Sequence, residues 1–280
     1  MADNPQLQIE TTETEAFIVG HRTSWLAEEL KHRPFLHLPA NSAAERLCFT
    51  VCAGTTPIGF ACLTTGDQII LSPMPKEAIP LLAEHLVQRR LHVPGIFAPQ
   101  QAGLALADAL SRLGGVRYQV AKRILHWETA SPHIPPEIEG KLRCAKDGDQ
   151  DTLVDMYLAM QAEMNTQRPF DAHVMVETAI ANQKLFVWGT PNGKIVCAGK
   201  VDLGEVGSKF GEVSSIYSVP AYRGRGIASA LVRRLTNKIL EQKPAVFLSS
   251  DADDAPSFKL YKKIGFNIEV EMVNLRQLKR

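Results

Sequence analysis

Between Thr129 and Gly140 the chain reads Thr-Ala-Ser-Pro-His-Ile-Pro-Pro-Glu-Ile-Glu-Gly, with prolines at 132, 135 and 136. Proline fixes φ and has no N–H, so neither a helix interior nor a central strand continues through such a segment. The seam cuts the 280 residues into halves of nearly equal length. At roughly 150 residues per domain, that length suits two domains. The expected layout is residues 1–130 as one domain, 131–140 as a linker and 141–280 as a second domain.

Each half alternates helical and strand patterns, which predicts an α/β (α+β) fold. In the second half, residues 141–145 read as a short strand. Residues 147–165 read as a helix, with Leu153, Met156, Tyr157, Met160 and Met164 at helical spacing, and 171–182 as a second, shorter one. Strand patterns at 185–189 and 195–203 flank Thr190-Pro-Asn-Gly193, a hairpin signal, and a turn at 204–207 leads into a third strand at 210–219. A helix follows with Ile227, Leu231, Leu235 and Ile239 on one stripe. Then come a buried strand at 245–250, a helix at 254–264 closed by Gly265, and a last strand through Phe266, Ile268, Val270 and Met272.

The first half runs in a similar order: helix 13–30, strands 47–51, 58–64 and 68–71, helix 76–90, strand 95–98, helix 102–113 and a long strand 118–127. The match is one of element order, without residue identity, and points to an old duplication.

Composition removes several classes of function. Thirty-one Lys and Arg balance thirty Asp and Glu, which gives no field for steering nucleic acid or binding an anionic membrane. No apolar run approaches the ~18 residues of a membrane span. The start, MADNPQLQIETTETEAF, is acidic and polar, unlike a secretory or mitochondrial leader. The five cysteines (48, 52, 62, 144, 197) contain no CxxC pair, and the eight histidines show no HExxH or HxxxH spacing. A disulfide scaffold and a metal site are not expected, and a reducing cytoplasm is.

Chemistry concentrates in Ile216-Tyr-Ser-Val-Pro-Ala-Tyr-Arg-Gly-Arg-Gly-Ile-Ala-Ser-Ala230, where a strand ends, the chain turns at Pro220 and a helix opens near Gly226. Gly224 and Gly226 remove side chains where backbone amides must point outward together. Free N–H groups at a helix start, reinforced by its dipole, make an anion site, and Arg223 and Arg225 can add charge-assisted contacts to phosphate. No Walker A string is present. A dinucleotide fingerprint fails because Gly224-x-Gly226-x-x reaches Ser229 and no acidic residue closes a following strand. The pattern that fits is R-x-x-G-x-G/A, filled by Arg223, Gly226 and Ala228.

Downstream lies Asp254-Ala-Pro-Ser-Phe-Lys-Leu-Tyr-Lys-Lys-Ile-Gly-Phe266. R-x-x-G-x-A on a strand–helix turn, followed by a strand and then LYKKIGF, resembles the GNAT acyltransferase superfamily over residues 141–280. The first half resembles a degenerate copy; its counterpart of the loop, Ser72-Pro-Met-Pro-Lys-Glu77, has neither glycine nor Arg-x-x-Gly and is not expected to bind cofactor. The implied fold is two tandem GNAT-like domains, each a mixed, mainly antiparallel sheet flanked by helices.

The resemblance implies acetyl-CoA lying between two splayed strands, 210–219 and 245–250. Tyr217, Ser218 and Val219 would run along the pantetheine arm, with backbone groups of Tyr217 and Val219 pairing with it. The pyrophosphate would sit on the amides of Arg223, Gly224, Arg225, Gly226, Ile227 and Ala228, with Ser229 beside them. Tyr261 matches the tyrosine that family members use as general acid toward the departing thiolate, a role that suits a phenol protonated at neutral pH. Glu212 and, less directly, Glu163 are the candidate bases for the acceptor amine. Tyr157, His173 and Arg168 lie where acceptor loops usually lie, although packing or surface roles suit them better. The chain departs from the family in having Asp254 where Asn is common and Ser257 where Ala is. With Asp251 and Asp253 this makes an acidic loop, read as a solvated helix cap or a lure for a cationic acceptor. The implied activity is direct acetyl transfer from acetyl-CoA to a primary amine, by a monomer or homodimer without metal. The rival reading is an acyl-CoA-binding sensor or scaffold without turnover.

Overall fold

The computed structural model describes residues 6–38, 46–64, 68–133, 138–164 and 170–278. In chain order these form β1 (Leu7–Thr12), α1 (Thr14–Ala27), α2 (Glu29–Leu36), β2 (Leu47–Ala53), β3 (Thr56–Leu63), β4 (Ile69–Leu71), α3 (Ala78–Gln88), β5 (Gly95–Pro99), α4 (Gln100–Gly114) and β6 (Tyr118–Thr129). They continue with β7 (Lys141–Cys144), α5 (Gln150–Glu163), α6 (Ala172–Ala181), β8 (Leu185–Gly189), β9 (Ile195–Asp202), β10 (Phe210–Ser218), α7 (Ile227–Leu240), β11 (Ala245–Asp251), α8 (Ala255–Ile264) and β12 (Asn267–Gln277). Pro135, Pro136 and Arg168 lie outside the described residues.

The chain divides into two units, and the first is not the amino half alone: it comprises residues 1–126, 250–254 and 268–280. Its sheet runs β1-β2-β3-β4-β5-β12. The hairpin-like strands β1 to β4 are antiparallel, β4 and β5 are parallel with Ile69 opposite Ile96, and β12 returns antiparallel with Val273 opposite Ala98. Strand alternation assigns the two faces. Ile69 and Leu71 enter one core with Leu82, Leu86, Leu106 and Leu110 of α3 and α4, and Val273 and Leu275 of β12 complete it. Ile70 points the other way, into a core built from Phe17, Trp25, Phe35 and Phe60. That burial explains why the last strand belongs to this unit, whereas the linear reading places it with the second half.

The single helix expected over 13–30 is two. Glu28 leaves helical geometry at φ −122° and ψ 54°, and α2 then carries Phe35 back against Trp25, ring centroids 5.3 Å apart. The aromatic cluster is what fixes this break; neither glycine nor proline stands at the position.

The second unit comprises residues 127–249 and 255–267. Its strands run β7-β8-β9-β10-β11, antiparallel throughout except for the parallel pair β10 and β11. The predicted turn closes β8 onto β9, with Gly193 at φ +82° and its N–H on the Thr190 carbonyl at 2.8 Å. The α7 stripe is buried as its period predicts, with Leu231, Leu235 and Ile239 at 0% exposure. α5 and α6 deliver Leu153, Tyr157, Val176 and Ile180 to a core shared with Val187, Ala198 and Tyr217.

Candidate functional site

β10 and β11 start together and part. They pair through Phe210, Gly211 and Glu212, opposite Ala245, Val246 and Phe247, and no further rung forms between them among the described residues. On its other edge β10 stays with β9, but the register shifts between Ser214 and Tyr217, and Ser215 takes φ +53°. This bulge is held by the buried Tyr157, whose hydroxyl donates to the Ser215 carbonyl at 2.9 Å. A bulge bends its strand and increases local twist, so β10 leaves β11 with an open backbone edge. Tyr157 is therefore a structural support of the site.

The open strand leads into the glycine loop. After one turn at Pro220–Tyr222, Gly224 and Gly226 adopt φ +74° and +78°, and α7 begins at Ile227. The first backbone bond across that start runs from Ala230 N–H to the Gly226 carbonyl at 3.0 Å, and no side chain caps the helix. The amides of Ile227, Ala228 and Ser229 therefore lack intrahelical acceptors, as the helix geometry requires. Left-handed glycines preceding a helix start create a concavity of N–H groups suited to an anion. A Cβ on Gly226 would lie 2.7 Å from Ile138 Cδ1, whereas one on Gly224 meets nothing within 4 Å.

Several side chains stand differently from the sequence expectation. Arg223 is turned toward Glu163: its Nη2 reaches Oε1 at 2.9 Å and Oε2 at 2.7 Å, and its Nε donates to the Ser218 carbonyl at 3.0 Å. Its guanidinium also lies 5.3 Å from the centroid of the Tyr217 ring. Tyr217 donates its hydroxyl to Glu163 Oε1 at 2.7 Å. The carboxyl of Glu163 is consequently held below its ordinary range, first by the Tyr217 hydroxyl and then by Arg223. Such a group is a weaker proton acceptor than an unpaired carboxylate.

Val219 also departs from expectation. Its N–H is spent on the Val196 carbonyl at 3.0 Å, so it continues the β9 ladder instead of facing the open edge. By strand alternation the N–H of Ser218 is the one turned the other way. The Ser218 hydroxyl meets Cys197 Sγ at 3.1 Å, and burial pushes that thiol up to about 11.

Glu212 occupies the last shared rung, at the vertex where the strands part, half-buried and opposite Asp202 on β9. Tyr261 is buried on α8, its ring edge-on to Trp127 at 6.0 Å and to Phe266 at 6.2 Å. Arg225 lies 5.2 Å from the Tyr222 ring centroid, and Lys194 approaches the same ring at 5.4 Å. Lys194 escapes sequence reading because it comes from the β8–β9 turn and carries no motif. His173 is exposed, and its backbone N–H is taken by Asp171, which caps α6. The acidic loop is partly neutralised within the first unit: Asp251 pairs with Lys122 at 3.3 Å and Asp253 with Arg123 at 2.5 Å. Besides these ion pairs, Asp251 Oδ1 accepts the backbone N–H of Asp253 at 3.0 Å, just before α8 begins.

Among the described residues no group of His, Cys, Asp and Glu could hold a metal ion, and no helix is long and apolar enough to cross a membrane.

The arrangement has relatives. The family model described as FR47-like protein matches residues 204–274, spanning the splay, the loop and α8. A GCN5-related N-acetyltransferase from Sphaerobacter thermophilus superposes with TM-score 0.65 at 17% identity, covering 98% of this chain and 96% of that one. The fold is a tandem GNAT fold. A GNAT-family acetyltransferase from Colwellia psychrerythraea gives TM-score 0.63 at 16% identity, over 97% of this chain and all of that one. A tandem GNAT protein from the clavulanic acid biosynthesis pathway gives 0.54 at 12% identity, with 98% and 99% coverage. No curated protein matches the chain. In GNAT terms, the splayed pair β10–β11 and the loop before α7 both lie in the second copy of the fold.

The Glu163–Arg223 pair offers a check on the geometry around β10. Its partners are 43% and 44% exposed, so Glu163→Gln should cost at most about 1 kcal/mol of stability near neutral pH. The folded carboxyl titrates below its ordinary 4.5, so its contribution is complete above that value and is lost as pH falls through the lower folded one. Thermal melts should show a small gap between variant and wild type at neutral pH that closes as the pH falls below the ordinary carboxylate range; an equal gap at both ends would show that the loss is one of packing.

Proposed function

We propose that the second unit catalyses direct transfer of an acetyl group from acetyl-CoA to a primary amine. The observation that supports this reading most is the combination of an open β10 edge with an uncapped, glycine-led helix start directly after it. A pantetheine arm carries amide groups that can pair with an exposed strand edge, and a pyrophosphate suits a concavity of N–H donors. Ser218 N–H would meet the arm, and the amides of residues 224–229, with Arg225 and Lys194 nearby, would receive the phosphates. Arg223 serves the strand end through Glu163 in this geometry.

In the reaction the amine nitrogen attacks the thioester carbonyl carbon. A C–N bond forms, and the tetrahedral intermediate collapses with loss of the C–S bond. Tyr261 delivers its phenolic proton to the departing sulfur, and the proton released by the amine passes to Glu212, directly or through water. Mixing the protein with acetyl-CoA and a panel of primary amines should release free coenzyme A thiol only when an amine is present. Saturable acetyl-CoA binding without thiol release for any amine would instead support the sensor.

A further inference from the structure

The first unit contains a cavity of about 690 Å³ at the carboxyl ends of the parallel strands β4 and β5, within the range of small-molecule sites. Its position in this copy of the fold corresponds to the splay in the second, but its chemistry is opposite. The loop before α3 has prolines at 73 and 75, which offer no N–H, and no glycine; Glu77 brings a carboxylate to the head of that helix. This loop lacks the glycine-led cluster of N–H donors found before α7, although Lys76 stands beside Glu77 and the uncapped start of α4 at Gln100 also lines the cavity.

The cavity wall carries three carboxylates, Glu28, Glu269 and Glu271, against one ammonium, Lys31. Lys31 pairs with Glu28 at 2.5 Å and also feels the charge of Glu269. Glu269 and Glu271 are exposed and stand two residues apart on β12, so they share one face of the strand. His32 also lines the cavity. Burial lowers its affinity for a proton, and Nδ1 lies 3.2 Å from the Glu28 carbonyl, a bond that requires the hydrogen on Nδ1. In the neutral ring Nε2 is then an acceptor. The apolar part of the wall includes Phe60 and Met74. Three carboxylates against one ammonium leave the wall net negative, and with an acceptor nitrogen and an apolar surface they favour positive charge on a hydrocarbon body.

We propose that this cavity binds a small organic cation, an ammonium group carried on an aromatic or alkyl body. The proposal is independent of acetyl transfer by the second unit. It is tested by calorimetric titration of the full-length protein with phenethylammonium, with 3-phenylpropanol as the neutral analogue and 3-phenylpropionate as the anionic one. Saturable binding is expected for the ammonium alone. The double substitution Glu269→Gln, Glu271→Gln should weaken it at least about tenfold while acetyl-CoA binding stays within about twofold of wild type. Raising salt on the unaltered protein should also weaken the ammonium, because the carboxylates are exposed to screening. The proposal is overturned by the absence of saturable ammonium binding, by equal binding of the neutral or anionic analogue, or by ammonium binding that the double substitution leaves unchanged.

Discussion

Gly226→Glu should reduce acetyl-CoA affinity by at least about 100-fold while the protein still melts cooperatively. Two effects add. Gly226 sits at φ +78° and a side chain there meets Ile138; a left-handed non-glycine residue costs roughly 1–2 kcal/mol. The carboxylate also lies beside the helix start, where it satisfies the same dipole and N–H groups that a pyrophosphate needs. A like charge about 5 Å away at an effective dielectric of about 20 opposes binding by roughly 3 kcal/mol, itself more than a hundredfold. The dipole term favours the acidic residue in the free protein, so the loss appears in binding and not as unfolding. Gly224→Ala is the companion variant: its added methyl meets open space, and only backbone strain of about 1 kcal/mol remains, tenfold or less. Calorimetric titration of both variants checks the assignment. Wild-type affinity in Gly226→Glu would remove the loop from the binding site.

Tyr261→Phe should lower turnover by about 100-fold, the lower end of what a positioned general acid contributes, with acetyl-CoA affinity within about twofold of wild type. The substitution keeps the ring that packs against Trp127 and Phe266, so α8 retains its seating. Steady-state thiol release with one active amine, beside a direct binding titration, separates the two quantities. Unchanged turnover would assign Tyr261 to packing alone; an equal loss of binding would make it a structural residue of the cleft.

Much of this was legible because it depends on local spacing. The α7 stripe, the Thr190–Gly193 turn and the two glycines before α7 each follow from a few adjacent residues, and each stands in the structure as read. What escaped depends on partners distant in sequence. Arg223 looks like a phosphate ligand until Glu163, sixty residues away, is found to hold it. The orientation of Val219 depends on the register of β9 after the bulge at Ser214–Tyr217, and one bulged residue reverses which amides face the open edge. The placement of β12 with β5 is likewise a nonlocal pairing: its alternation predicts a strand but cannot name the neighbour. The break at Glu28 has no glycine or proline to announce it and arises from the aromatic core that α1 and α2 share. The cavity of the first unit combines residues from five separate stretches of chain, so no motif marks it.

The most direct test of the account is a calorimetric titration of the full-length protein with acetyl-CoA, run beside ATP. The open β10 edge and the amide-lined loop predict saturable acetyl-CoA binding with a micromolar dissociation constant, about −8 kcal/mol, and ATP at least about tenfold weaker because it has no pantetheine arm to pair with the strand. Equal affinity for ATP, or no saturable acetyl-CoA binding, would contradict the assignment of this cleft.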